Sequence, residues 1–97
     1  MKFSVCIPQY NRIDYLIHNL NEIAKQTYSD IEVVISDDGS MDDTGIRIGS
    51  ISTIFPFPIV YERTDVNLGY DRNLRRSLEL ATGDYAIILG NDDAFSR

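Results

Sequence analysis

The chain has 97 residues, 43% hydrophobic and 25% charged, with nine Lys or Arg against fifteen Asp or Glu and a net charge of −6. This is ordinary globular material for one small domain. The acidic balance excludes a general nucleic-acid or anionic-membrane surface, though not a nucleotide held by local groups and a cation.

The apolar, β-rich run Phe3–Pro8 predicts a first strand, ended by Pro8 and followed by the turn-prone Gln9-Tyr10-Asn11. The lone cysteine, Cys6, lies inside this run. It has no partner for a disulfide and is expected to be a buried structural thiol in a reducing, cytoplasmic compartment. Ile13, Leu16, Ile17, Leu20, Ile23 and Ala24 fall at helical spacing, with Asn11 as N-cap and Asp14 in the first turn. His18 sits mid-helix with no second His or Cys at ligand spacing and reads as a surface or boundary residue.

Ile31–Asp37 predicts the second strand. The segment from Asp42 to Ile54 carries the weakest signal: a short helix through Ile48, capped by Asp42 or Ser40 and weakened by Gly45 and Gly49. Pro56 and Pro58 precede a strand at about Ile59–Arg63. After the loop Asp65–Gly69, a helix is expected over Tyr70–Ala81, with Tyr70, Leu74, Leu78 and Ala81 on one face and an Asp71–Arg75 pair. Gly83 is the expected left-handed cap, and Asp84–Leu89 the fourth strand. The order βαβαβαβ implies right-handed crossovers and a mainly parallel sheet, a three-layer α/β/α sandwich with both sheet faces covered. No run approaches the ~18 apolar residues of a membrane helix, and no signal peptide is visible.

Six acidic residues cluster at two predicted strand ends, in Asp37-Asp38-Gly39-Ser40-Met41-Asp42-Asp43 and in Gly90-Asn91-Asp92-Asp93. Ligands of open parallel sheets bind at such ends. Asp37 or Asp38 could accept from a base N–H or a ribose hydroxyl, with Gly39 allowing a sharp turn or close approach. Adjacent Asp92 and Asp93 repel each other unless a cation balances them, which suits Mg²⁺ or Mn²⁺ carrying diphosphate oxygens. Tyr10 could cover a base or ribose. Arg12 and Arg72 could meet phosphates, Arg72 with Asn73 in the first turn after Asn67-Leu68-Gly69. Each has a plainer alternative: solvated turns for the acids, packing on its own helix for Tyr10, surface charge for Arg12, and a salt bridge or cap for Arg72. The sequence has no Walker A motif, nucleophile elbow or G-x-G-x-x-G.

Together, Val5-Cys6-Ile7-Pro8-Gln9-Tyr10-Asn11-Arg12, Ile35-Ser36-Asp37-Asp38-Gly39-Ser40, Asn67-Leu68-Gly69 with Arg72-Asn73, Gly83-Asp84-Tyr85 and Asn91-Asp92-Asp93 resemble the family 2 glycosyltransferases of GT-A fold. The resemblance implies inverting transfer from a UDP-, GDP- or dTDP-linked sugar to an acceptor saccharide or lipid-linked saccharide. It implies a nucleotide pocket from Pro8, Gln9, Tyr10, Arg12, Asp37, Asp38, Gly69, Arg72, Asn91 and Asp92, and Mn²⁺ or Mg²⁺ at Asp92 and Asp93. Two departures stand out: Gly90 occupies the first position of the D-x-D-like element, and Gln9 replaces the usual Thr before Tyr10. The chain stops just past its second acidic cluster, so it is expected to be the donor-binding part of a longer protein. The acceptor half and catalytic base would lie downstream, and residues 1–97 would be inactive alone. In the full-length protein it is placed in the cytoplasm, at the inner face of a membrane, and the incomplete sheet is expected to expose apolar surface and to self-associate. The competing expectations are a related nucleotidyltransferase, a phosphoacceptor receiver domain and a non-catalytic nucleotide-binding module.

Overall fold

The computed structural model describes residues 2–10, 13–25, 30–41 and 44–89. Strands β1 (Phe3–Gln9), β2 (Ile31–Asp37), β3 (Ile59–Arg63) and β4 (Tyr85–Ile88) alternate with helices α1 (Ile13–Ala24), α2 (Thr44–Ile51) and α3 (Tyr70–Leu80). A 3-10 turn, Ser52–Ile54, extends α2. The sheet is parallel throughout, in the order β3-β2-β1-β4. Order reverses between β1 and β4, and the carboxyl ends of those strands therefore flank the crevice where such sheets take ligands. A receiver domain places β3, not β4, beside β1, so this topology sets that alternative aside.

Alternation of side chains divides the sheet into two unlike faces. On one, Val5, Ile7, Ile31, Val33 and Ile35 pack with Ile13, Leu16, Leu20 and Ile23 of α1, Ile48 of α2 and Phe57. The other carries Ser4, Cys6, Glu32, Val34 and Ser36, all buried, and lies under α3. Right-handed crossovers explain the division: β1-α1-β2 and β2-α2-β3 step one way along the sheet, and β3-α3-β4 steps back the other way.

The expected strands are present, and the differences are local. β1 runs one residue past Pro8, which pairs with Ser36. Even-numbered residues of β1 turn their backbone groups toward β4, as the Leu89 N–H to Cys6 carbonyl bond at 2.9 Å shows. The missing Pro8 N–H therefore costs no bond to β2, and pairing with β4 stops at Cys6–Ile88. Helix α2 begins at Thr44, and the Ser40 hydroxyl donates to Asp37. The other proposed caps, Asn11 and Asp42, lie outside the described residues.

Helix α3 is rotated from the expected face, and of that face Leu74 and Ala81 remain half-buried. Asn73 and Ser77 are its buried residues, while Tyr70 is 61% and Leu78 40% exposed. The sheet face beneath it is polar, so polar side chains turn inward. The expected Asp71–Arg75 pair is absent from the described ion pairs; Arg76 instead bridges Glu62 at 3.2 Å and reaches Ser36 Oγ at 3.3 Å. Gly83 is not left-handed, since positive φ occurs only at Gly39 and Gly69 among the described glycines. A Cβ at Gly83 would lie 2.6 Å from Ser4 Oγ and 2.8 Å from the Lys2 carbonyl, so glycine is needed for close approach to β1. Finally, β4 is exposed along its whole length rather than covered on both faces. His18 is exposed and Cys6 fully buried, as expected. Among the described residues no helix is long and apolar enough to cross a membrane.

Candidate nucleotide-sugar site

Three loops at the carboxyl ends of the strands are joined by hydrogen bonds. Asp37, fully buried, ends β2. Its Oδ1 accepts the backbone N–H of Ser40 at 3.0 Å and the Ser40 hydroxyl, and its Oδ2 accepts the Tyr61 hydroxyl from β3. Gly45 of α2 lies against that hydroxyl, where a Cβ would come within 3.3 Å. Arg63 Nη2 donates to the Ser40 carbonyl at 3.0 Å and closes the same loop from β3.

Asp38 faces the other way. Its carboxylate, in a residue only 3% exposed, accepts the backbone N–H groups of Leu68 at 2.6 Å and Gly69 at 2.9 Å. Gly39 between the acids and Ser40 has φ +73°, and a Cβ there would lie 3.1 Å from the Val66 backbone. The close approach that Gly39 permits is thus to the loop after β3. Gly69, at φ +98°, delivers the chain into α3 and also receives Asn67 Oδ1 on its N–H at 2.9 Å.

At the end of β1, Pro8 and Gln9 are buried and Tyr10 is 41% exposed, with no hydrogen bond among the described residues. Gln9 Nε2 donates to Thr44 Oγ1 at 3.3 Å, while Gln9 Oε1 is buried without a partner. The Gln9 carbonyl accepts from the Asp38 N–H at 2.8 Å and from Asn73 Nδ2 at 3.2 Å. Arg72, exposed in the first turn of α3, makes no ion pair or hydrogen bond among the described residues. No salt bridge of Arg72 is therefore present among the described residues.

The structure thus gathers Pro8, Gln9, Tyr10, Asp37, Asp38 and Gly69 around connected loops, with Arg72 one helical turn beyond. Arg12, Asn91, Asp92 and Asp93 lie outside the described residues. Among the described residues no group of three or more His, Cys, Asp or Glu could hold a metal ion. Asp37 and Asp38 are already engaged by donors, so the described part of the site does not by itself fit a divalent cation. Sequence reasoning missed Tyr61, Ser40 and Thr44. Ser40 belonged to a motif already singled out, but nothing local marks Tyr61, which reaches Asp37 only because β3 pairs with β2.

At the opposite, amino-terminal end of the sheet, Glu32 is 3% exposed. It accepts from Ser4 Oγ at 2.6 Å, from the Thr82 N–H at 2.7 Å and from Thr82 Oγ1 at 3.0 Å, with Lys2 Nζ 3.3 Å away. Burial pushes its pKa up, but the bonds from Ser4, Thr82 and Lys2 outweigh that and bring it to about 2. Burial, followed by the Glu32 charge, raises the Cys6 thiol pKa, which keeps it unreactive.

A parallel α/β sheet with its crevice between β1 and β4 has the architecture of nucleotide-binding α/β folds. The profile of Glycosyl transferase family 2 matches residues 4–97, and the chain belongs to that family. It is 48% identical over 99 residues to the abequosyltransferase RfbV of Salmonella typhimurium, covering all of this chain and 30% of that protein. Among solved structures it resembles S. aureus TarS 1-349 in complex with UDP-GlcNAc, with TM-score 0.83 and 29% identity over 95% of this chain and 27% of that one. It also resembles the mannosyltransferase PcManGT of Pyrobaculum calidifontis in complex with GDP-Man and Mn²⁺, with TM-score 0.85 and 26% identity over 94% and 27%. The chain spans about a third of the length of the curated relatives it matches.

Proposed function

We infer that this chain forms the donor-binding part of an enzyme that transfers a sugar from a nucleotide diphosphate sugar to an acceptor hydroxyl with inversion. The observation that carries this reading is that, at the carboxyl ends of the strands of a family 2 chain, a half-exposed Tyr10 after β1 and an exposed Arg72 in the first turn of α3 have no hydrogen bond or ion pair among the described residues. Tyr10 offers a face for the base or ribose, and Arg72 a bidentate cation for a phosphate. A carboxylate has about four acceptor positions. Asp37 uses three on its own loops and Asp38 two, so Asp38 keeps more capacity to read a nucleoside.

Asp92 and Asp93 remain our choice for Mn²⁺ or Mg²⁺, supported by the sequence and by the Mn²⁺ complex of the Pyrobaculum relative. When bound, such an ion would neutralise charge on the departing diphosphate. The catalytic base and acceptor pocket are assigned to further chain of a longer, cytoplasmic protein. Tyr85, Ile87 and Ile88, 46–54% exposed on β4, are where that chain would continue the sheet. Residues 1–97 alone would then self-associate through this edge, which sedimentation would detect as a concentration-dependent dimer.

Calorimetry with UDP, GDP and dTDP, with and without Mn²⁺, tests the reading. Binding of one of them, strengthened by the metal, is the expected result. Absence of binding by all three would overturn it. Sugar transfer by the full-length protein, absent from residues 1–97, separates an enzyme from a non-catalytic binding module.

A further inference from the structure

We propose that Asn73 is a positioning residue of the donor site, holding the Gln9 carbonyl and thereby fixing the span between the Tyr10 ring and the Arg72 guanidinium. This rests on the reading of the site given above. Asn73 is 4% exposed on the buried face of α3, an unusual place for an amide unless it is bonded. Its Nδ2 reaches the Gln9 carbonyl at 3.2 Å, across from β1. That carbonyl also accepts the Asp38 N–H at 2.8 Å, so both of its lone pairs are used.

The peptide plane between Gln9 and Tyr10 is thereby held from two sides. Among the described residues Tyr10 makes no hydrogen bond, and its ring is carried by this backbone. Asn73 adjoins Arg72 in sequence, and its own N–H donates to the Gly69 carbonyl at 3.0 Å. Asn73 therefore ties the end of β1, next to Tyr10, through its side chain, and the Gly69 loop that Asp38 holds through its backbone, beside the cation on α3. A nucleoside diphosphate that touches both ends must match the distance this link sets. Ser77, one turn further on the same buried face, bonds among the described residues only within its own helix, to the Leu74 carbonyl at 2.7 Å. It shares the burial of Asn73 without the link.

The test uses the nucleotide diphosphate that binds best, with Kd followed between pH 5.5 and pH 8. In Asn73→Asp at pH 8 a carboxylate faces the Gln9 carbonyl, and Kd is expected to rise roughly tenfold or more. Burial raises the pKa of the introduced carboxyl, so at pH 5.5 it regains a proton to donate and most of the affinity should return. Ser77→Ala should keep wild-type affinity even where its melting temperature falls. Asn73→Ser, neutral but too short to reach Gln9, should weaken binding without pH rescue, and covers the case in which Asn73→Asp does not fold. Wild-type affinity in Asn73→Ser, or equal losses in it and Ser77→Ala, would overturn the assignment while leaving the site reading intact. A wild-type protein that binds no nucleotide overturns both.

Discussion

On the α1 side of the sheet, Val5, Ile7, Val33 and Ile35 meet Leu16, Leu20 and Ile23 with no polar partner needed. On the α3 side, Ser4 and Glu32 meet Lys2, Thr82 and Gly83, and Ser36 meets Arg76, through hydrogen bonds and ion pairs. The first kind of contact is non-directional and supplies most of the stability of a small domain. The second is directional and holds positions within tenths of an ångström. The loops of the candidate site, Gln9-Tyr10, Asp38 and Leu68-Gly69, are tied together on the polar side. The domain thus uses one face for cohesion and the other for alignment.

This contrast can be broken from either side. The largest loss should come from the apolar face: Leu16→Ala, at a fully buried position, is expected to cost about 2–5 kcal/mol in urea unfolding and to leave nucleotide affinity of the folded fraction unchanged. Glu32→Ala should cost about 2–3 kcal/mol, because it strands the buried donors of Ser4 and Thr82 and the charge of Lys2.

The Glu32 contribution has a pH signature. Its folded pKa of about 2 lies below the ordinary value of 4.5, so the stabilisation is present above 4.5 and is lost as pH falls toward 2. Acid titration of stability should show this loss in the wild type, and Glu32→Gln should lack that component. Equal acid sensitivity of the two proteins would remove Glu32 from the account.

Gly39→Ala should cost about 1–2 kcal/mol, from the positive φ and the 3.1 Å approach to Val66. Unlike Leu16→Ala, it should also weaken nucleotide binding, because it pushes apart the loops that the polar face aligns. The smallest effect on stability, within about 0.5 kcal/mol, is expected for exposed Arg72→Ala. Its signature is a several-fold weaker diphosphate affinity with nucleoside affinity unchanged, read by comparing UDP with uridine.

Much of this was legible in the chain itself. Near-continuous apolar runs at Phe3–Pro8 and Ile31–Ile35, separated by a 3.6-period segment, specify parallel strands and a crossover helix through local patterning alone. Of the two strand-end clusters, Asp37-Asp38-Gly39-Ser40 falls among loops joined by hydrogen bonds, and Asn91-Asp92-Asp93 lies outside the described residues. Helix α3 was legible as a helix but not in its facing: Leu74 and Leu78 suggested an apolar contact, whereas Asn73 and Ser77 are buried.

The sequence by itself determined which segments are strands and helices, that the sheet is parallel, and which loops carry polar chemistry. Those properties depend on neighbours a few residues apart. Only the tertiary structure decided that Asp37 answers to Tyr61, that Asp38 holds Leu68 and Gly69, that Gly83 is needed for Ser4, and that Asn73 grips Gln9. Those partners lie 24 to 79 residues apart along the chain. They meet only once the order β3-β2-β1-β4 brings their strands together, and hydrogen-bond direction, unlike hydrophobic periodicity, leaves no trace in the local sequence.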